Sequence, residues 1–316
     1  MRLPFALDHI NLWAISDGPG WTLVDTGLNS PETMKAWEQI VRDDLAGRPI
    51  TRLIVTHMHA DHAGLAGWLA ERFNCPLWMT RTEYLSARTL ATANGTEPEL
   101  HSLFRKAGWQ PHEIDAIGVR KRAIAKFYTP LPRDIRRIRH GDRLEIDGYE
   151  WSVLTGGGHS PEHACLYCPQ LNLLISGDKI LPDISSNVSV DPAEPEGNPV
   201  AEWFETLAMI RAEVPDTVLV LPSHGNCFTG LHGRIDRLVN EQQAVIRRLS
   251  RALQKPHRVD ELFDVLFSRP IARADIPLMS LATGEALAVL NYLIAQGEAR
   301  SWLGADGVML YERVRS

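Results

Sequence analysis

The stretch Thr56–Gly64, "THMHADHAG", sets His57, His59, Asp61 and His62 within six consecutive positions. Neutral imidazole and carboxylate are the side chains that hold divalent ions in catalytic sites. His57 and His59 lie two apart at the end of a strand, so their rings share a face. Asp61 and His62 fall where the chain turns into a helix, which aims them from a second direction. Four such groups exceed what one hydrolytic ion needs if it keeps a position open for water. A divided set serving two ions is the economical arrangement. The sequence supplies further candidates, each following a strand: His159 in "TGGGHSPEH", Asp178 at the end of "NLLISGD", and His224 in "TVLVLPSHG". A lone histidine is ordinarily structural, but loops at strand ends are where a rigid sheet gathers reactive groups.

The elements that must position these residues alternate. "NLWAIS", "WTLVDTG" and "RLIVTH" read as strands. "SPETMKAWEQIVRDDLAG" reads as a helix with Ser30 as N-cap, Pro31 at its first position and Gly47 as its stop. A second helix, "GLAGWLAERFN", starts directly after the histidine cluster, and the strand "PLWMT" follows. Residues 81–139 read as a helical, charge-rich insertion. Hairpins are expected at Asp147-Gly148 and between "ACLYC" and "NLLISGD", then a helix "PVAEWFETLAMIRAEV" and a last strand ending at His224. This favours a mixed α/β layered fold over a doubly wound parallel sheet. Near Asn240 the pattern changes. "RVDELFDVLFSR", "DIPLMSL" and "ATGEALAVLNYLIAQG" read as separate helices and "EARSWLGADGVMLYERV" as a hairpin, a set similar to a winged helix-turn-helix. The expected division is 1–240 and 241–316.

In this order and at these separations, "HMHADH", "GHSPEH", "SGD" and "SHG" resemble the metallo-β-lactamase superfamily, over about residues 8–230. The resemblance implies an αββα sandwich with a dinuclear centre at one edge. His57, His59 and His159 would hold one ion and Asp61, His62 and His224 the other, with Asp178 between them. "VDTG" matches as well and makes Asp25 a residue that orients ligands. Zinc suits such a donor set best, and iron and manganese tolerate it. The implied chemistry is hydrolysis by a hydroxide held between two cations about 3.5–4 Å apart, with Asp61 and Asp178 in catalytic roles. His163 and "GDKILPDISSNVSV" resemble a branch that holds acyl-thioester hydrolases and a ribonuclease-like group, both with a winged-helix-like appendage. Glu162 stands where relatives often carry glycine. His163 is read as a partner of the ligands or an aid to proton transfer.

Composition narrows the substrate. The chain has 316 residues and a net charge of −6, so it exerts no general attraction for nucleic acid or anionic membrane. Interruptions in "MRLPFALDHINLWAISDGPG" argue against a signal peptide, and no run near 18 residues is expected to span a membrane. A cytoplasmic protein is expected. Cys165 and Cys168 form one C-x-x-C, open to a metal or redox reading, but three positions apart on a strand they face opposite ways. Acyl ester, thioester or lactone hydrolysis is the first functional reading; cleavage of RNA is the alternative. The helix "TGEALAVLNYLIAQ" carries no Lys or Arg, unlike a helix entering a phosphate field, and is expected to cover the site or build a homodimer. "VRKRAIAKFY" and "RDIRRIRHGDR" hold nine Lys/Arg, either a solvated face or a grip on the phosphates of coenzyme A, a carrier prosthetic group or RNA. Leu131, Phe104 and Trp109 are candidates for a lid over an acyl chain. A thiolate departs without protonation, which favours thioester cleavage.

Overall fold

The structure is a computed structural model and describes residues 1–4 and 7–314. In chain order its elements are β1 (Trp13–Asp17), β2 (Gly20–Val24), α1 (Pro31–Asp43), β3 (Ile50–Ile54), α2 (Ala60–Ala63), α3 (Ala66–Phe73), β4 (Leu77–Met79) and α4 (Arg81–Ala91). Then come α5 (Pro98–Lys106), α6 (Pro111–Ala125), β5 (Arg136–Arg137), β6 (Arg143–Ile146), β7 (Tyr149–Gly156), β8 (His163–Cys168) and β9 (Leu173–Gly177). The chain continues through α7 (Pro199–Glu213), β10 (Leu219–Pro222), α8 (Leu231–Ala252), α9 (Phe263–Leu266), α10 (Ile276–Ala295), β11 (Ala299–Leu303) and β12 (Met309–Arg313).

The first compact unit comprises residues 1–92, 123–186 and 208–235. One of its sheets runs β1-β2-β3-β4-β5, with β1 antiparallel to β2 and the rest parallel. The other runs β10-β9-β8-β7-β6 and is antiparallel except for the β10/β9 pair. The two-residue alternation of a strand divides the first sheet's side chains. Leu23, Leu53 and Leu77 pack with Trp37, Leu65 and Leu69 of the helical layer. Val24 and Ile54 turn the other way, onto Trp151, Val153, Leu166 and Ile175 of the second sheet. Two sheets share one apolar layer while helices cover the outer face of the first.

Local signals account for several boundaries. Ser30 accepts a hydrogen bond from the Thr33 N–H at 3.1 Å and caps α1, whose first residue is Pro31. Gly64 and Gly67 lie where a side chain would collide: a Cβ would meet the Phe127 carbonyl oxygen at 2.4 Å and the Pro130 carbonyl oxygen at 1.8 Å, respectively. These two glycines seat the helices after the histidine cluster directly against segment 127–130.

The second unit comprises residues 93–122, 187–207 and 236–316. Its core helix is α10, with Trp109 Nε1 donating to Thr283 Oγ1 at 3.1 Å and Asn291 Nδ2 donating to the carbonyls of Pro195 and Gly197. Sequence patterning had divided α10 in two; the structure makes it one helix of 20 residues. Gly284 lies within this helix. It is a packing residue and not a break, since a Cβ there would come within 2.7 Å of Ser189 Oγ.

Three further expectations need correction. Helix α10 is long and apolar enough to cross a membrane by length and composition, contrary to the reading that no segment is. Its residues from Met279 to Leu293 are mostly buried, the pattern of a core helix. Phe104 and Trp109 are not lid residues: both are buried, their rings 4.4 Å apart. Leu131 packs against the apolar cluster of the first unit. The 22-residue helix α8 was not foreseen.

Candidate metal centre

The parallel strands β2 and β3 and the strands β9 and β10 deliver their C-terminal ends to the candidate ligands. Asp25 follows β2, Thr56 and His57 follow β3, Asp178 follows β9, and Ser223-His224 follow β10. All seven predicted ligand positions come together, although His57 and His159 are 102 residues apart in the chain. His57 Nε2 lies 2.9 Å from His59 Nδ1 and 3.3 Å from His159 Nε2. Asp61 Oδ2 lies 3.7 Å from His62 Nε2 and 3.5 Å from His224 Nε2. Asp178 stands between the two clusters. Its Oδ1 is 3.4 Å from both His62 Nε2 and His224 Nε2, and its Oδ2 is 3.5 Å from His159 Nε2.

Hydrogen bonds on the far side of each ring decide which nitrogen is free. His224 Nδ1 lies 2.7 Å from the carbonyl oxygen of His9. A carbonyl only accepts, so Nδ1 carries the proton and the neutral ring's Nε2 offers a lone pair to the centre. His62 Nδ1 is 2.8 Å from Asp25 Oδ2, with the same consequence. Asp25 also accepts from the Thr56 N–H at 2.8 Å and from Thr56 Oγ1. It does so from a left-handed backbone conformation, φ 64°, uncommon outside glycine.

The orphaned atoms test whether a metal fits. Among the described residues, His62 Nε2, His224 Nε2 and Asp178 Oδ1 are buried and without a hydrogen-bond partner, and buried polar atoms are normally satisfied. Imidazole and carboxylate groups converging on one another are what a divalent cation satisfies, displacing the imidazole protons as it binds. Burial and the neighbouring rings, His159 foremost, push the His59 pKa down to about 3, so this ring is neutral and competent to ligate. Burial opposes charge on His224, but Asp178 and Asp61 outweigh it and raise its pKa to about 9. Burial likewise opposes ionisation of Asp178, yet His62 and His224 hold its carboxyl well below the usual range. The field of the two carboxylates calls for positive charge at this point.

Comparison with known proteins agrees with this geometry. Residues 6–224 match the Metallo-beta-lactamase superfamily, and residues 246–314 match the Metallo-beta-lactamase-like, C-terminal domain. The chain belongs to the metallo-beta-lactamase superfamily. It is a metallo-hydrolase of mixed α/β metallo-beta-lactamase fold, with a C-terminal domain that contains a small sheet, β11–β12. A beta-lactamase domain protein from Burkholderia ambifaria is similar in structure, with a TM-score of 0.90 and 40% identity, over 99% of this chain and 91% of that one. The probable metallo-hydrolase YqjP of Bacillus subtilis is 26% identical over 271 residues, covering 84% of this chain and 82% of its own length. An Aspergillus fumigatus protein named atrochrysone carboxyl ACP thioesterase is 23% identical over 234 residues, or 73% of this chain, which spans only 41% of that protein.

Within the family's site, His163 meets the backbone of Asp178. It is fully buried, and its Nε2 accepts a hydrogen bond from the Asp178 N–H at 3.1 Å. Its lone pair is occupied by the backbone of a ligand, which gives it a holding position behind Asp178. Gly177 makes room for it: a Cβ there would lie 2.6 Å from the His163 ring. Glu162, standing where a glycine was anticipated, accepts from the Thr82 N–H near the start of α4 and, through its carbonyl, from Thr80 Oγ1.

Sequence reasoning missed four contributors. His9 supplies its carbonyl to His224 and its ring Nε2 to the Gly225 N–H at 3.2 Å, and Asn11 ties the same segment to the carbonyls of Pro222 and Gly225. Lys179 is fully buried, its Nζ donating to the carbonyls of Gly156 at 3.0 Å and Gly157 at 2.7 Å, ahead of His159. Glu83 of α4 is likewise fully buried. Its only sequence signal is an acid in the first turn of a helix that starts at the same sheet edge.

Proposed function

We propose that this metallo-hydrolase cleaves acyl esters or thioesters with a centre of two divalent ions, zinc first among the candidates. The observation that carries the reading is Asp178, which turns one carboxylate oxygen to each cluster of donors. Divalent ions bound there supply Lewis acidity and a water acidified toward neutral pH.

The chain's own residues do the rest. His57, His62 and His224 form a buried back wall, whereas His59, Asp61 and His159 are partly exposed and face the side from which substrate arrives. Asp25 and the His9 carbonyl hold the proton of each neutral ring on Nδ1, so that Nε2 is the atom left to ligate. Thioester is the favoured bond because a thiolate leaves without a proton donor, and because the Aspergillus relative bears a thioesterase name. A cytoplasmic setting suits the four free cysteines, of which Cys75, Cys165 and Cys168 are buried. A small acyl compound is the proposed substrate. The apolar, buried stretch of α10 from Thr283 supports that choice over RNA.

The test is a substrate panel on metal-loaded protein: acyl-CoA thioesters, lactones, bis-p-nitrophenyl phosphate and single-stranded RNA. Thioester or ester turnover is the expected result. Preference for RNA or the phosphodiester would replace this reading with the nuclease alternative.

A further inference from the structure

The two donor clusters are braced by different means. On the Asp61–His62–His224 side, the ring nitrogens themselves are engaged, by Asp25 and by the His9 carbonyl. On the His57–His59–His159 side, the brace is attached to the backbone that carries the rings. Glu83 Oε2 accepts from the Met58 N–H at 2.8 Å, and Met58 lies between two of the three histidines. Glu83 Oε1 accepts from Ser160 Oγ at 2.7 Å and from the Glu162 N–H at 2.7 Å, on the loop that begins at His159. One side chain from α4 therefore joins two loops that have no local connection in the chain.

We propose that Glu83 is the positioning residue of the tri-histidine cluster, setting the separation of the His57–His59 loop from the His159 loop without touching a metal or substrate. The inference rests on the reading of these histidines as metal ligands. A buried carboxylate is costly unless several donors satisfy it, and here the donors all belong to the two ligand loops. Lys179 completes the clamp. It holds the Gly156 and Gly157 carbonyls just before His159, while Glu83 holds Ser160 and Glu162 just after it. A glycine-rich loop fixed at both ends can present His159 in one place.

A purely architectural Glu83 would affect both clusters alike, whereas a positioning Glu83 acts on one. In Glu83→Gln the shape is kept, but an amide NH2 must face one of the N–H or O–H donors, so one contact is lost. Metal-free wild type, Glu83→Gln and the milder Ser160→Ala are titrated with Zn2+ against a chromophoric chelator, and each metal-free protein is melted thermally. The wild type should take up two ions. Glu83→Gln should keep one at wild-type affinity and weaken the other by about 10–100-fold, with Ser160→Ala weakening the same ion less. In a His59→Ala background, which already lacks a donor of that cluster, Glu83→Gln should add little. Two ions at wild-type affinity in Glu83→Gln, or equal weakening of both, overturns the proposal. If Glu83→Gln does not fold, unchanged binding of both ions by Ser160→Ala overturns it. A wild type that takes up no Zn2+ removes the metal reading and this inference together, an outcome distinct from normal uptake by both variants.

Discussion

The tri-histidine cluster and the Asp61–His62–His224 cluster offer three donors each, yet they differ in how the protein specifies them. In the second, the atoms behind the rings select the tautomer: Asp25 behind His62, the His9 carbonyl behind His224. In the first, His57 Nδ1 meets the Thr56 hydroxyl at 3.1 Å, a group that can donate or accept, and position is imposed through Glu83 and the loop backbones. One cluster is controlled by proton placement, the other by loop placement. Substitutions should therefore separate them.

Loss of a donor gives the largest effect. His59→Ala removes a partly exposed member of the tri-histidine cluster, and Asp178→Ala removes the carboxylate that faces both clusters. Each should lower hydrolysis by about 10³-fold or more, on the scale of losing a principal electrostatic element of a hydrolytic site. Bound metal separates them, with one ion expected to remain in His59→Ala and both weakened in Asp178→Ala. Elemental analysis of the purified variants checks this, and equal metal content in the two would erase the distinction between the clusters.

Asp25→Asn tests the tautomer argument. Asparagine also tolerates the left-handed backbone found at Asp25, so the substitution changes hydrogen bonding and little else. Its amide NH2 must face either the Thr56 N–H or His62 Nδ1. In the latter case the His62 proton moves to Nε2 and blocks the ligand atom. Affinity for one ion should fall by about 10–100-fold, and Zn2+ titration should place that loss on a different ion from the Glu83→Gln loss. If both variants weaken the same ion, the two bracing schemes are not independent.

Much of this arrangement was legible before any coordinates. Histidines and aspartates at strand ends are visible because their types are rare in that pattern, whereas "VDTG" exposed Asp25 only through its resemblance to the family. The braces were not. His9 meets the His224 ring through a backbone carbonyl, which any residue type provides. Glu83 and Lys179 act on backbone groups brought near by long-range pairing, and in the sequence they are ordinary charged residues. The fold shows the same division. Hairpins at Asp147-Gly148 and between β8 and β9 carried local turn and alternation signals. The close packing of Gly284 against Ser189, nearly a hundred residues away, could not be read locally.

Gly177→Ala offers a smaller, structural probe that should not discriminate between the clusters. Gly177 has φ 52°, and an added Cβ would press on the imidazole that accepts the Asp178 N–H. Strain of about 1–3 kcal/mol is expected, read as a lower Tm of the metal-free protein. Because Asp178 faces both clusters, both ions should loosen together. Loosening of only one would show that the Asp178 backbone does not set the position of both its oxygens.

The smallest effect lies outside the centre and separates satisfied from unsatisfied burial. Glu83 has three donors, whereas Glu285 on α10 has the Asn187 Nδ2 donor at 2.6 Å, with Asn187 Oδ1 itself engaged by Ser189 Oγ. Burial dominates at Glu285 and pushes its pKa up to about 7, only partly offset by Asn187. Ionisation in the unfolded chain begins near the ordinary carboxyl value of about 4.3, so the folded state holds the extra proton between there and about pH 7. Stability should fall as pH rises through that window and level off above it. Glu285→Gln keeps an acceptor for Asn187 with no charge to bury, so relative to wild type it should gain stability as pH rises across the same window. Denaturant melts at pH 5 and pH 8 measure the difference. An equal gain at both values would mean that Glu285 is already ionised at pH 5, and that a single amide donor can replace the three-donor shell that Glu83 requires.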